Sequence, residues 1–244
     1  MTSKGTINAQ ATNRRDRVRQ ATMGEIRDTA RRLLLENGAQ AVTINAIARE
    51  MGMSGPALYR YYPRHEVLVQ AITADFYDEL TAAVAAARDT HSGAGESVRL
   101  LAMCRAMRAW AVAHPAEFGW LFATPSTTLA PDSLSYQSAL GFEAVFRNEV
   151  AALWLRRPFA VPDLAALDPS LREQLTTYSR GIDGQLPPEA AHVFLKSWIR
   201  LYGLLCMEVL RQLDFAFSDL TPVFEEFLRE FSADLGLDYT PEER

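Results

Sequence analysis

Three consecutive side chains, Tyr59, Arg60 and Tyr61, set two phenol hydroxyls and a guanidinium side by side, and Gly55 and Ala57 just before them are small. Donors of this kind reach phosphate oxygens and base edges, and small residues at the start of a short helix let its N-terminus approach a groove of duplex DNA. The chemistry these residues offer is recognition by hydrogen bonding, not bond making.

The elements that must position them follow from the run between Thr43 and Tyr62. Thr43 is a helix N-cap, and Ile44, Ile47, Ala48 and Met51 recur at helical spacing, which predicts a short helix from about 44 to 51. Gly52 suits the left-handed conformation that ends a helix, and Met53 plugs the turn from below. Ser54 caps a second helix with Pro56 in its first turn, Leu58 and Tyr62 inward, and Pro63 as its end. Two short helices joined by a turn of fixed size make a helix-turn-helix. A preceding helix from Met23 to Asn37, with Ile26, Ala30, Leu33 and Leu34 inward and Gly38 as its stop, completes a three-helix unit.

Charge separates this pattern from an ordinary pair of helices. Residues 1–65 hold 11 Lys plus Arg against 5 Asp plus Glu, a net of +6, and the other 179 residues hold 14 against 25, a net of −11. A basic end on an acidic body fits a DNA-contacting unit joined to one that does not touch phosphate. Residues 1–20 lack apolar periodicity and carry Lys4, Arg14, Arg15, Arg17 and Arg19 against Asp16, so a disordered basic arm that reaches phosphates or a minor groove is expected over 1–22. With no apolar signal-peptide core and no apolar run of about 18 residues, a cytoplasmic protein without membrane contact is expected.

The rest of the chain reads as helices, with no competing strand pattern. Helices are expected over Glu66 to Arg88, Val98 to Ala113, Ser135 to Arg156, roughly 170 to 179, 189 to 213 and 219 to 235, with an irregular Ser/Thr-rich stretch from Pro125 to Pro131. The fold class is all-α with about 9 to 10 helices: a helix-turn-helix domain at 23–68 and a larger helical domain at 69–240. From Leu201 to Leu210 only Glu208 is charged, so that helix needs cover on more than one side, and a homodimer built from 189–213 and 219–235 supplies it. Two such copies present their reading helices to a palindrome with half-sites roughly 34 Å or a multiple apart. Cys104 and Cys206 read as small buried hydrophobes. The four histidines lack metal spacing, and no nucleophile-elbow, phosphate-loop or dinucleotide motif occurs, so neither catalysis nor a cofactor or metal is expected.

The helix at 23–37 followed by T-I-N-A-I-A-R-E-M-G-M-S-G-P-A-L-Y-R-Y-Y-P-R-H-E resembles the DNA-binding domain of the TetR family of transcriptional regulators, over about residues 23–75. The resemblance implies phosphate contacts by Thr43 and Ser54, groove-facing Gly55, Ala57 and Arg60, and bracing by Tyr59 and Tyr61. Tyr61 stands where many members have His. His65 stands where many have a phosphate-binding Lys, so Arg64 is expected to share that contact, and DNA affinity is expected to fall as His65 loses its proton. In the body, R-A-W-A-V-A-H-P-A-E-F-G-W-L-F (108–122) and Trp198 with Tyr202-Gly203 resemble one branch of the family, which implies a ligand-sensing and dimerisation domain.

A repressor released from its operator by a small effector is the outcome this likeness implies. The candidate pocket aromatics are Trp110, Phe118, Trp120, Phe122, Phe142, Phe146 and Trp154, with Trp198 and Tyr202 from the likeness; Arg105, Arg108, His114, Gln137 and Asn148 are the polar candidates. So many rings favour an apolar or aromatic effector. The competing reading is a helical small-molecule carrier or partner-binding protein without regulated DNA binding.

Overall fold

The computed structural model describes residues 3–123 and 132–241, with side chains from Arg14 onward. Its helices are α1 (Ser3–Asn37), α2 (Ile44–Glu50), α3 (Gly55–Tyr59), α4 (His65–Thr90), α5 (Glu96–Ala113), α6 (Pro115–Phe122), α7 (Leu134–Arg156), α8 (Pro169–Gly181), α9 (Pro188–Val209) and α10 (Thr221–Asp234). Short 3₁₀ turns occupy Ala39–Ala41 and Leu164–Ala166, and no strand occurs among the described residues. The all-α expectation is met. The stretch from Pro125 to Pro131 read as irregular lies outside the described residues.

The chain divides into two compact units. Unit 1 comprises residues 1–76 and 124–137, and unit 2 comprises 77–123 and 138–244, so the division falls inside α4, after Phe76.

Unit 1 is built on the faces that periodicity marks. Ile26, Ala30, Leu33 and Leu34 of α1 are buried with Ile44, Ile47 and Ala48 of α2, Leu58 of α3, Tyr62, and Leu68, Ile72 and Phe76 of α4. Arg27 fastens α1 to both neighbours: its guanidinium pairs with Asp75 and donates to the Tyr62 hydroxyl at 3.0 Å. Helix α1 runs from Ser3 through the stretch expected as an arm. Between Thr6 and Met23 there is no proline or glycine, and Ala, Gln and Arg are good helix formers, so a segment without an apolar stripe still continues a helix that is already nucleated.

Unit 2 differs from expectation at two points. A helix not expected from the sequence, α6, begins at Pro115, just past the one expected over Val98 to Ala113; a proline that cannot continue one helix fits the first turn of the next. Helix α9 ends at Val209 and not near 213, where Arg211 takes a positive φ of 57° and the Gln212 amide donates to the Met207 carbonyl at 2.9 Å, a left-handed C-terminal closure without glycine. Helix α8 is capped by Asp168, whose carboxylate accepts from the amides of Ser170 and Leu171.

Three arginines tie the helices of unit 2 together. Arg99 pairs with Glu149 at 3.1 Å, Arg105 grips both oxygens of Glu225 at 2.9 and 2.7 Å, and Arg108 grips Glu208 and also donates to the Thr221 hydroxyl at 3.0 Å. The Arg105 guanidinium holds the Glu225 carboxyl below its ordinary value of 4.5, with the Tyr239 hydroxyl assisting against desolvation. A depressed carboxyl adds stability that is present above its unfolded-state value and lost as pH falls through its folded one. Urea unfolding at pH 6 and pH 3.5 is therefore expected to show a smaller acid-induced loss of stability in Glu225→Gln than in the parent chain.

Candidate nucleic-acid interface and aromatic cluster

Both caps read from the sequence are made. The Thr43 hydroxyl accepts from the Ala46 amide at 3.2 Å to start α2, and the Ser54 hydroxyl accepts from the Ala57 amide at 3.3 Å to start α3. Each hydroxyl keeps its own hydrogen for an outside acceptor such as a phosphate oxygen. Gly52 takes a φ of 63° in the turn between them, and the Met53 amide closes onto the Ala48 carbonyl at 2.8 Å. The geometry of the turn thus comes from backbone bonds within a few residues.

What α3 presents outward follows from what it buries. Leu58 is fully buried and Tyr62 nearly so, which leaves Tyr59, Arg60 and Arg64 exposed and Gly55, Ala57 and Tyr61 half-exposed on the other side. A Cβ at Gly55 would meet only the Asn45 side-chain oxygen, at an ordinary 3.5 Å. The fold has room for a side chain there, so the bare backbone at 55 leaves clearance on the outer face.

Tyr61 has a partner that the sequence did not reveal. The Arg19 guanidinium lies 5.4 Å from the centre of the Tyr61 ring and donates to the Arg60 carbonyl at 3.2 Å. A cation over an aromatic face is attractive, and here it steadies the end of α3 from the N-terminal half of α1. Arg19 was read as part of an arm; only the continuity of α1 brings it to this place. His65 also has a specific bond: its Nε2 lies 2.8 Å from the Val42 carbonyl, which ties the start of α4 to the residue before the α2 cap. With Nε2 donating there, Nδ1 is the ring nitrogen left for any outside contact.

The ring candidates of unit 2 separate into groups. Phe118, Phe122, Phe142, Phe146, Trp198 and Tyr202 form one network with Tyr77 and Phe194, in which Phe118 to Phe122 is 4.6 Å, Phe146 to Trp198 is 5.2 Å and Phe194 to Trp198 is 5.9 Å between ring centres. Trp110 stacks on His114 at 4.9 Å, and Trp154 meets Phe159 at 4.9 Å. Trp120 is half-buried on α6, while Gln137 and Asn148 are exposed. Arg105 and Arg108, read as polar pocket contacts, are engaged with Glu225 and Glu208. Tyr77 was not singled out from the sequence, because its place in the helical stripe of α4 reads as ordinary core.

A capped two-helix reading element on a three-helix unit, followed by an all-helical second unit, defines a helix-turn-helix protein. Residues 26–72 match the family described as "Bacterial regulatory proteins, tetR family", and residues 100–231 match "Tetracyclin repressor-like, C-terminal domain". The chain belongs to the TetR family. It is 37% identical over 112 residues to the HTH-type transcriptional regulator Rv1816 of Mycobacterium tuberculosis (strain ATCC 25618 / H37Rv), a match that covers 46% of this chain and 47% of that protein. The chain thus spans about half the length of the curated relatives it matches first. The crystal structure of SCO4313 superposes with a TM-score of 0.70 at 32% identity, covering 89% of this chain and 98% of that one. A protein of unknown function from Rhodococcus sp. RHA1 shares the fold, with a TM-score of 0.61 at 17% identity over 85% of this chain and 94% of its own.

Proposed function

We propose that this chain is a sequence-specific DNA-binding transcriptional regulator that acts as a homodimer on a palindromic operator and is released by a small apolar or aromatic effector. The observation that carries the reading is α3: a helix of five residues, pinned from below by Leu58, whose outer side offers Tyr59, Arg60 and Tyr61 beside the clearance at Gly55. Thr43, Ser54 and Arg64 supply phosphate contacts around it, with His65 holding the start of α4. The names of the relatives, transcriptional regulators of the helix-turn-helix type, support the same reading. In this scheme the effector occupies the aromatic network of unit 2 and favours one of two positions of α4, the helix that carries residues of both units. A coupling of about 1 to 3 kcal/mol then changes DNA affinity roughly 5- to 150-fold.

The dimer rests on α9. Ile199 is 70% exposed and Leu210 is 40% exposed, Gly203 lies exposed between them, and Phe215 beyond the helix is 87% exposed. An apolar stripe of this kind on a helix is stable in water when a second copy covers it. The outer side of α10 carries Glu226, Arg229 and Glu230, so it suits the rim of such an interface better than its centre. Ile199→Glu is expected to convert a dimer into a monomer at micromolar concentration in sedimentation velocity. It should also weaken operator binding, because one reading helix per particle then remains. Gel shifts on DNA from the region upstream of its own coding sequence, with and without hydrophobic effectors, test the whole reading; a carrier shows neither sequence preference nor effector-dependent release.

A further inference from the structure

Two phenols from different helices converge on one ring. Phe122 of α6 receives Tyr77 of α4 edge-on at 5.8 Å and 78°, and Tyr202 of α9 edge-on at 4.5 Å and 77°. Tyr202 lies 5.0 Å from Trp198, which in turn lies 5.5 Å from Phe142. Buried phenol hydroxyls normally find a partner, because desolvation without a hydrogen bond is costly. Neither of these two hydroxyls makes a hydrogen bond among the described residues, and neither is among the fully enclosed polar atoms left without a partner, so each oxygen keeps accessible surface for an outside acceptor.

The surroundings are of low polarity. Desolvation pushes the ionisation of Tyr77 up to about 12 and that of Tyr202 well above the ordinary phenol value, with Tyr77 and Cys206 near enough to add to the effect on Tyr202. Both hydroxyls therefore stay protonated and able to donate. Yet the cluster is not solid: Phe122, Trp198 and Tyr202 keep accessible surface, whereas Phe142 is 1% exposed and Tyr77 is 6% exposed. Tyr202 is strongly desolvated and yet keeps accessible surface, a combination that fits open space beside its ring within the cluster.

We infer that this recess takes a neutral molecule with an aromatic or similarly flat apolar body and one hydrogen-bond-accepting oxygen, with the body against Phe122 and Trp198 and the oxygen held by the Tyr77 and Tyr202 hydroxyls. An anion is disfavoured, since the arginines of α5 that could balance it, Arg105 and Arg108, grip Glu225 and Glu208. The inference deepens the effector reading of unit 2 and rests on it for its purpose, but binding is measurable without DNA.

Equilibrium dialysis of the full chain against four probes decides it: naphthalene, 1-acetylnaphthalene, 1-naphthoate and (1-naphthylmethyl)trimethylammonium. The neutral ketone is expected to bind about ten-fold tighter than naphthalene, the size of two net hydrogen bonds, and tighter than either ion. The double variant Tyr77→Phe/Tyr202→Phe is expected to erase that preference while holding naphthalene within about two-fold, because both rings remain. Equal binding of ketone and naphthalene, tighter binding of either ion, or binding of none of the four overturns the assignment. A preference for the ketone in a chain that ignores operator DNA keeps the site and overturns the regulator reading instead.

Discussion

Replacing Arg60 and Tyr61 together with alanine is expected to weaken operator binding by on the order of 100-fold while the fold survives. A good side-chain contact to a base edge is worth about 1 to 3 kcal/mol, and a lost phosphate contact lowers affinity across all sequences. Two such losses give roughly 30-fold at the least. The fold should tolerate the change, because Arg60 is exposed and Tyr61 half-exposed, and because Arg19 holds the Arg60 carbonyl, which alanine retains. Fluorescence anisotropy with labelled operator reads the affinity, and thermal melting by circular dichroism checks the fold. A variant that melts like the parent and binds like the parent removes α3 from the reading role.

Leu58→Ala is expected to act on the same helix from beneath, through stability. With five residues α3 cannot persist alone, since a helix that short does not recover the cost of its nucleation. Its backbone is held by the Ser54 cap at one end and by amides of Tyr61 and Tyr62 that return to the Leu58 carbonyl at the other. The leucine is 0% exposed, so its truncation leaves a cavity at the point where α3 meets the rest of unit 1. The expected cost is about 2 to 5 kcal/mol, against under about 1.5 kcal/mol for Leu58→Met, which preserves the volume. Urea unfolding of unit 1, followed by an environment-sensitive label on α3, separates the two. Equal midpoints would mean that α3 is not held by Leu58.

What could be read from the sequence was local. Thr43, Gly52, Ser54 and Pro56 each act on backbone within about five residues of themselves, so their types and spacing, with Leu58 on the inward face, already specify caps, turn and orientation, and the buried stripe of α4 is equally periodic. Where a proline has two meanings, the pattern misleads: Pro115 ends α5 and begins α6. The length of α1 was missed for a related reason, since the residues before Met23 have the propensity of a helix without the apolar stripe that announces one. Pairings across the chain are invisible to any window. Arg105 and Arg108 looked available for a ligand, yet their carboxylates lie 120 and 100 residues away in sequence. Tyr77 is a similar case, because a tyrosine in a helical core stripe gains a role only once α6 and α9 bring Phe122 and Tyr202 beside it.

The most direct measurement is a titration of the full chain against a labelled DNA fragment from the region upstream of its own coding sequence, with a scrambled fragment in parallel, between 50 and 200 mM salt. The expected result is affinity at least about 1,000-fold higher for the upstream fragment, falling steeply with salt, with two chains per fragment and lower affinity when an effector fills the aromatic recess. Equal, weak binding to both fragments, unaffected by Arg60→Ala, would contradict the reading of residues 43–65 as a DNA-recognition element.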